Sequence, residues 1–192
     1  MSRRSRHLGG YILRNGIFVP SLIKSIQRGT ITLADTVTSN TATITSVSVA
    51  NTRLVWCGNN SVNAGGGGSG SGPTIARIDL TNATTVTATR STGTDTLIVS
   101  YEVIEYWPGI LKTVQKGTVT ATAAASGTAT LATTLGSVNK ATLDVLGYLG
   151  AVAFSADNFM GHVVLTNTTT VTLTRVSTNN NLTAGYQVCE WF

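Results

Sequence analysis

The sequence is poor in charged residues, cysteine and proline, and its composition excludes several classes of protein. Only 11% of the 192 residues are charged, with 2 Cys and 3 Pro, whereas soluble domains average about 25% charged residues. Ala, Leu, Glu and Lys together are too sparse for a helical bundle or coiled coil. The 42% hydrophobic content is too high for a disordered chain. No apolar run approaches the roughly 18 residues that a transmembrane helix needs.

Threonine is abundant instead, and it indicates a β protein. The chain contains 34 Thr and 20 Gly. Segments such as 30–33 and 85–89 alternate Thr with Ile, Val, Leu or Ala, which predicts strands with one buried face and one threonine face. The β-branch of Thr favours extended backbone while its hydroxyl stays hydrated.

Three segments occur twice in the same order, so the chain contains an internal repeat. Residues 24–32 recur as 112–120 with conservative changes, and residues 80–90 recur as 165–175 with nine of eleven positions identical. Residues 101–107 correspond to 186–192. The offset falls from 88 to 85, so the second copy is three residues shorter in its middle.

The repeat predicts an all-β chain of two tandem antiparallel β-sandwiches behind an N-terminal arm. We assign residues 1–23 to the arm, 24–107 to the first repeat, 108–111 to a short linker and 112–192 to the second repeat. Six strands are expected in the first repeat, and they lie near residues 28–34, 41–48, 52–58, 75–81, 84–91 and 96–107. The Gly-rich run 65–72 and the segment 150–158 are then loops within the repeats, and the short linker favours a rigidly packed pair.

Positive charge is concentrated in the first 28 residues, which carry six basic residues and no acid. The remaining chain has seven basic and eight acidic residues, so its net charge is −1. A basic arm of this kind can bind nucleic acid or an acidic protein surface, or can be a solvated tail.

The arm also carries an Asn15-Gly16 pair between apolar flanks, which predicts a hairpin. This hairpin either covers the first repeat or docks the protein onto a larger assembly. The residues proposed for docking are Arg3, Arg4, Arg6, Tyr11, Arg14 and Phe18. The arm lacks a signal peptide's apolar stretch and cleavage site, so we expect synthesis in a cytoplasm without export by that route.

Catalytic and metal-binding patterns are missing from the sequence. It has no GxSxG motif and no phosphate-binding loop, and its eight acids are dispersed. Two histidines and two cysteines do not form a metal-ligand pattern. We therefore expect no enzyme activity, cofactor or metal, and we interpret Cys57 and Cys189 as small buried residues without a disulfide.

Glu105 and Glu190 occupy the same register of the last strand in the two repeats, among large apolar residues. A buried carboxylate needs a cationic partner. The sequence offers Lys24 or Arg28 and Lys112 or Lys116, or else Arg90 and Arg175. A catalytic acid is the alternative interpretation, but no second acid or His recurs beside these positions.

These repeated motifs resemble the β modules of tailed-bacteriophage virion proteins. The motifs are Val/Ile-Gln-Arg/Lys-Gly-Thr-Val/Ile-Thr, then Leu-Thr-Asn-x-Thr-Thr-Val-Thr-x-Thr-Arg, then Tyr-x-Val-x-Glu-aromatic. The closing strand is also similar to that of H-type lectin-like six-stranded sandwiches, although no sugar-binding residue of that family maps onto this chain. The resemblance covers residues 24–107 and 112–192.

The resemblance implies a structural protein in a virion, made in the host cytoplasm, as an accessory or decoration component of head, collar or tail. Other virion proteins of the capsid or tail would be its partners, and a homo-oligomer, with a trimer favoured, would present six similar modules. A receptor- or carbohydrate-binding module, with loops 65–72 and 150–158 as its surface, is the alternative. Nucleic acid would bind only through the arm, and no membrane contact is expected.

Overall fold

The structure is a computed structural model, and part of the chain is described. The described residues are 7–8, 11–14, 17–62, 75–91, 95–150, 160–178 and 180–192. Side chains are described from Ser21 onward, except that of Val62. Both predicted loops, 65–72 and 150–158, fall almost wholly outside these ranges.

The described chain is all-β, which confirms the predicted fold class. Its strands are β1 (His7–Leu8), β2 (Tyr11–Arg14), β3 (Ile17–Pro20), β4 (Ile23–Leu33), β5 (Ser39–Thr43), β6 (Thr52–Val62), β7 (Arg77–Asn82), β8 (Thr85–Thr89), β9 (Thr96–Tyr106), β10 (Leu111–Ala121), β11 (Ser126–Thr130), β12 (Ala141–Gly150), β13 (His162–Leu165), β14 (Thr170–Thr174) and β15 (Leu182–Trp191). The helical segments among the described residues are two single 3-10 turns, Val49–Asn51 and Val138–Lys140. No described helix has the length and apolarity needed to cross a bilayer.

The two halves of the chain repeat one strand order. Hydrogen bonds join β4, β9 and β6 in that order, and join β5, β8 and β7. In the second half β10, β15 and β12 correspond to the first set, and β11, β14 and β13 to the second. The two halves, residues 23–106 and 111–191, therefore each contain six strands in two antiparallel sets of three.

Each half has its own apolar core, built from the alternating residues of both strand sets. Val86 and Ala88 of β8 are fully buried, and so is Val99 of β9, in one cluster. Val171 of β14 and Val188 of β15 lie in the second cluster. The threonines between the apolar residues of β8 and β14 face away from the cores, because successive strand residues point to opposite faces.

The predicted strand ends are partly wrong. The second strand ends at Thr43 rather than at residue 48, because Ile44 and Val47 turn toward the core and bind the main chain at Thr84 and Ala83. The last strand of the first repeat, predicted to end at residue 107, ends at Tyr106, and Trp107 is 37% exposed.

The β-hairpin formed by β2 and β3 of the arm matches the Asn-Gly prediction. β2 pairs antiparallel with β3, and Arg14 lies opposite Ile17, which leaves residues 15 and 16 between them. β1 pairs with β2, so these short strands form a three-stranded sheet.

Candidate functional site

The docking residues proposed from sequence lie outside the described side chains. Arg3, Arg4 and Arg6 precede the first described strand, and Tyr11, Arg14 and Phe18 lie on β2 and β3, where the backbone alone is described. The other two basic residues of the first 28 belong to β4, where Lys24 and Arg28 form ion pairs with Glu105 and Glu102. The positive charge of the arm is therefore carried by four arginines, since the other two basic residues belong to the first repeat.

Glu105 is buried and is held from three sides. The Lys24 Nζ atom lies 2.9 Å from Oε1, the Ser48 N–H donates to the same oxygen at 2.9 Å, and the Ser25 hydroxyl lies 3.2 Å from Oε2. The pairing of β4 with β9 is irregular between Ile23 and Ser25. This bulge places Lys24 and Ser25 together beside the carboxylate.

Glu190 is held in the same manner in the second half. Its Oε1 accepts hydrogen bonds from Lys112 Nζ at 3.2 Å, from Gly136 N–H at 2.8 Å and from Ser137 N–H at 3.3 Å. The strand pairing again shifts next to the lysine, between Leu111 and Thr113. The carboxylate thus ties the 134–138 loop to the end of the sheet, as Glu105 ties the loop at Ser48.

Both carboxylates are suited to ion pairing rather than to acid catalysis. Burial raises the pKa of Glu105, but the hydrogen bond from Ser48 and the charge of Lys24 outweigh it and lower the pKa below the ordinary value. Burial likewise raises the pKa of Glu190, but the hydrogen bonds from Lys112, Gly136 and Ser137 outweigh it and lower the pKa below the ordinary value. A general acid near neutral pH needs a raised pKa.

We expect acid to destabilise the protein through these two groups. The unfolded chain binds protons on Glu105 and Glu190 at a higher pH than the folded chain does. The two carboxylates therefore contribute their full stabilisation above the unfolded pKa of about 4.5. That contribution is lost as the pH falls from there toward the folded pKa values. The double variant Glu105→Gln/Glu190→Gln should lose about 2–4 kcal/mol at pH 7 and show a flatter decline from about pH 5 to 3. Urea unfolding at each pH measures both effects, and an unchanged pH slope would contradict this role.

Arg90 and Arg175 have a different role from the one predicted. Neither is the cation beside Glu105 or Glu190, where the structure places Lys24 and Lys112. The pairing of these glutamates with Arg90 and Arg175 is therefore wrong. The arginines do not reach the glutamates because each follows directly after strand β8 or β14 and points into the loops at that end of the strand.

Both arginines bind main-chain carbonyl groups. Arg90, 2% exposed, donates from Nε to Val37 O at 2.8 Å, from Nη1 to Asp95 O at 2.7 Å and from Nη2 to Ala34 O at 2.7 Å. Arg175 donates to the carbonyls of Ala124, Ala121 and Asn180. Each guanidinium thus joins two loops, since its fixed fork of donors can satisfy several carbonyls at once.

Other polar residues that recur in both copies also bind the main chain. The Gln27 amide donates to Thr45 O at 2.9 Å and accepts from Thr45 N–H at 2.7 Å, and Gln115 does the same with Thr133. Asn82 accepts from the Thr84 N–H at 2.9 Å, the turn-forming role expected of Asn. The recurring polar motifs therefore stabilise loops and turns.

No three potential metal-ligating side chains come together among the described residues. Cys189 is buried, and burial raises its pKa to about 12. Cys57 is exposed, so its predicted burial is wrong. The register of β6 shifts between Trp56 and Asn59 against β9, and this bulge brings Cys57 to the surface.

Charged and polar side chains join the two halves, and the sequence did not identify them. Arg53 of β6 binds Asp144 of β12 with Nε–Oδ2 and Nη2–Oδ1 distances of 2.7 and 2.5 Å. The hydrogen bond to Asp144 raises the pKa of Arg53, against the effect of burial. The buried Gln187 amide accepts from Leu54 N–H at 2.6 Å and donates to Thr52 O at 3.2 Å.

A bulge in β12 completes the junction. The pairing of β12 with β15 shifts between Val145 and Tyr148, and Leu146 of this bulge is buried in the core of the first half. Gly147, with φ +91°, pairs with Arg77 of β7. Through this bridge β12 and β7 connect their sheets into one of six strands, in the order β10-β15-β12-β7-β8-β5.

Residues that differ between the copies build this junction. Arg53, Asp144 and Leu146 stand where the other copy has Thr142, Val55 and Cys57. Positions that break the repeat are the signal in the sequence that could have located the contact.

Comparisons with known proteins identified no relative. The chain matches no protein-family model, no curated protein and no solved structure.

Proposed function

We propose that the chain is a non-enzymatic structural protein of a tailed-bacteriophage virion, an accessory or decoration component attached through residues 1–23. The family part of this proposal rests on the resemblance of the repeated motifs. The observation that carries the structural role is the use of the recurring polar side chains. Glu105, Glu190, Arg90 and Arg175 all tie loops to strands in the two repeats.

A rigid two-repeat body with a separate basic arm suits attachment to a large assembly. The body offers stability and a constant shape, because its repeats are joined by an ion pair, a buried amide and an inserted leucine. The arm carries Arg3, Arg4, Arg6 and Arg14 without a neighbouring acid, which suits an acidic surface. The glycan-binding alternative depends on two loops outside the described residues, and no described residue supports it.

Deletion of residues 2–20 tests the attachment. We expect the truncated chain to fold and to lose most of its copurification with phage particles, measured by quantitative blotting of gradient-purified particles. The matched variant Arg3→Gln/Arg4→Gln/Arg6→Gln/Arg14→Gln keeps the hairpin and removes the charge. Incorporation of the deletion variant at the level of the full chain would contradict the docking role.

A salt series on the same variants separates an acidic protein surface from nucleic acid. Nucleic acid binding by four arginines should weaken steeply with salt, because each phosphate contact releases counterions. The proposed attachment predicts that the purified chain does not shift DNA or RNA at physiological ionic strength. A salt-sensitive shift that the four glutamines abolish would support nucleic acid contact instead.

A further inference from the structure

One sheet surface is covered in the second half and open in the first. We call the side of the β10–β15–β12 sheet that faces away from its own core the covered face, because the first half lies on it. Gly185, Gln187 and Cys189 of β15 are all buried there. The corresponding side of the β4–β9–β6 sheet is the open face, where Ser100 and Glu102 are partly exposed.

The matching bulge glycines show the difference most directly. Gly147 and Gly58 follow Leu146 and Cys57 in equivalent bulges, with φ angles of +91° and +97°. A Cβ atom on Gly147 would lie 2.2 Å from the carbonyl oxygen of Ala76, whereas one on Gly58 would meet no atom of the described residues within 4 Å. The same backbone conformation is therefore packed against β7 at Gly147 and is uncovered at Gly58.

Groove volumes agree with this difference. The groove beside Tyr101 on the open face has a volume of about 380 Å³. Its counterpart beside Tyr186 has about 200 Å³ and is lined by Arg77 and Asp79 of the first half. Lys116 binds Asp79 across that groove at 2.8 Å.

The strand that covers one face has a counterpart with a free edge. β7 of the first half lies beside Gly147, and β13 is its equivalent in the second half. Among the described residues, β13 pairs with β14 alone. Met160 before it is 58% exposed and Val164 on it is 41% exposed, whereas Ile75, the counterpart of Met160, packs on the second core. We call β13 with Met160 the open edge.

The open face differs from the covered face at the position of the junction's carboxylate. Val55 stands on the open face where Asp144 stands on the covered face, so the carboxylate that binds Arg53 has no counterpart there. A carboxylate without a cation would be costly to bury under a partner.

The remaining positions change in matching ways. Ser100 stands on the open face where the covered face has Gly185. Arg77 of β7 lies against Gly185, and its counterpart on the open edge is the shorter His162. Arg28 stands where Lys116 binds Asp79, and its charge is paired with Glu102 of its own sheet at 2.6 Å, which suits the neutral Val164 of the open edge.

We infer that the open edge of one copy docks on the open face of a second copy, with β13 beside Gly58 as β7 lies beside Gly147. The partner is thus a second copy of this chain, and the contact is head-to-tail, since the edge and the face are different surfaces. Repetition of such a contact produces a closed ring or an open filament. The inference stands on the geometry of the repeats and does not depend on the virion role.

The chain's own arm is the alternative occupant of the open face. A second copy fits better because the equivalent face is covered by a sheet edge, and an equivalent free edge exists on the same chain. The exposed Met160 and Cys57 also occupy the positions where the junction uses Ile75 and Leu146.

Two single variants block opposite ends of the contact. Val55→Asp adds an unpaired carboxylate to the open face, and Met160→Asp does the same on the open edge at a residue too exposed to affect folding. Light scattering after size exclusion, from about 1 to 100 μM, should show the full chain as multiples of 20.0 kDa and each variant as a monomer. An equal mixture of the two variants should give a dimer and nothing larger, because one free edge and one free face remain.

A second test keeps the open face apolar. Val55→Ile adds no charge to that face, so it should keep the mass of the full chain. A monomeric full chain at every concentration would overturn the inference. An oligomer that neither variant affects, or one that is lost on deletion of residues 2–20 while Val55→Asp retains it, would overturn it as well. Particle incorporation is measured separately, so failure here leaves the proposed attachment testable.

Discussion

Gly147→Ala should destabilise the protein far more than Gly58→Ala, although the two glycines share one backbone conformation. An alanine in the left-handed region costs about 1–2 kcal/mol at either site. At Gly147 the new methyl group also meets the Ala76 carbonyl at 2.2 Å, so β7 and β12 must separate. We expect an additional loss of about 2–3 kcal/mol there.

Urea unfolding of the two variants measures this difference, at a concentration low enough to keep both monomeric. Gly58→Ala is the matched control, because it carries the same backbone strain with open space around the methyl group. Equal losses of unfolding free energy would show that the junction at Gly147 is not tightly packed.

Arg90→Met should cost about 3–4 kcal/mol, because it leaves three part-buried carbonyl groups without their donor. Arg175→Met should behave similarly at the equivalent loops. Arg90→Lys keeps the charge but loses the fork of donors, so it should recover only part of the loss. The free energy of unfolding in urea reports all three.

Arg28→Met is the control for the loss of a cation and its aliphatic contacts. Its side chain is 67% exposed and pairs with Glu102, so the expected change is about 0–1 kcal/mol. A loss at Arg90 no larger than that at Arg28 would contradict the role of the buried guanidinium in joining loops.

The sequence could predict the structural residues that recur, because each repeat must solve the same local problem twice. Gly29 and Gly117 illustrate this, since the ring of Tyr101 or Tyr186 lies where a Cβ atom would be. The register of Glu105 among apolar residues likewise predicts that it is paired if it is buried, with a catalytic acid as the alternative. Its partner could not be chosen from sequence, because a one-residue bulge at Lys24 decides which cation reaches it.

The junction between the repeats could not be predicted for a different reason. Its contacts depend on how two folded bodies meet, and alternation along a strand shows which face is buried without showing what covers it. Leu146 carries the same apolar signal as any core residue, yet it fills the core of the other half. Only the comparison of the two copies, residue by residue, distinguishes such a position.

Because the connection between the repeats is short, their junction needs only weak intrinsic affinity to stay formed. β9 ends at Tyr106 and β10 begins at Leu111, so the second repeat meets the first as a tethered partner. A short tether gives an effective concentration in the millimolar range. The same contact between separate chains must also offset the loss of translational and rotational freedom. The junction within a chain is therefore independent of protein concentration, whereas the proposed contact between chains depends on it.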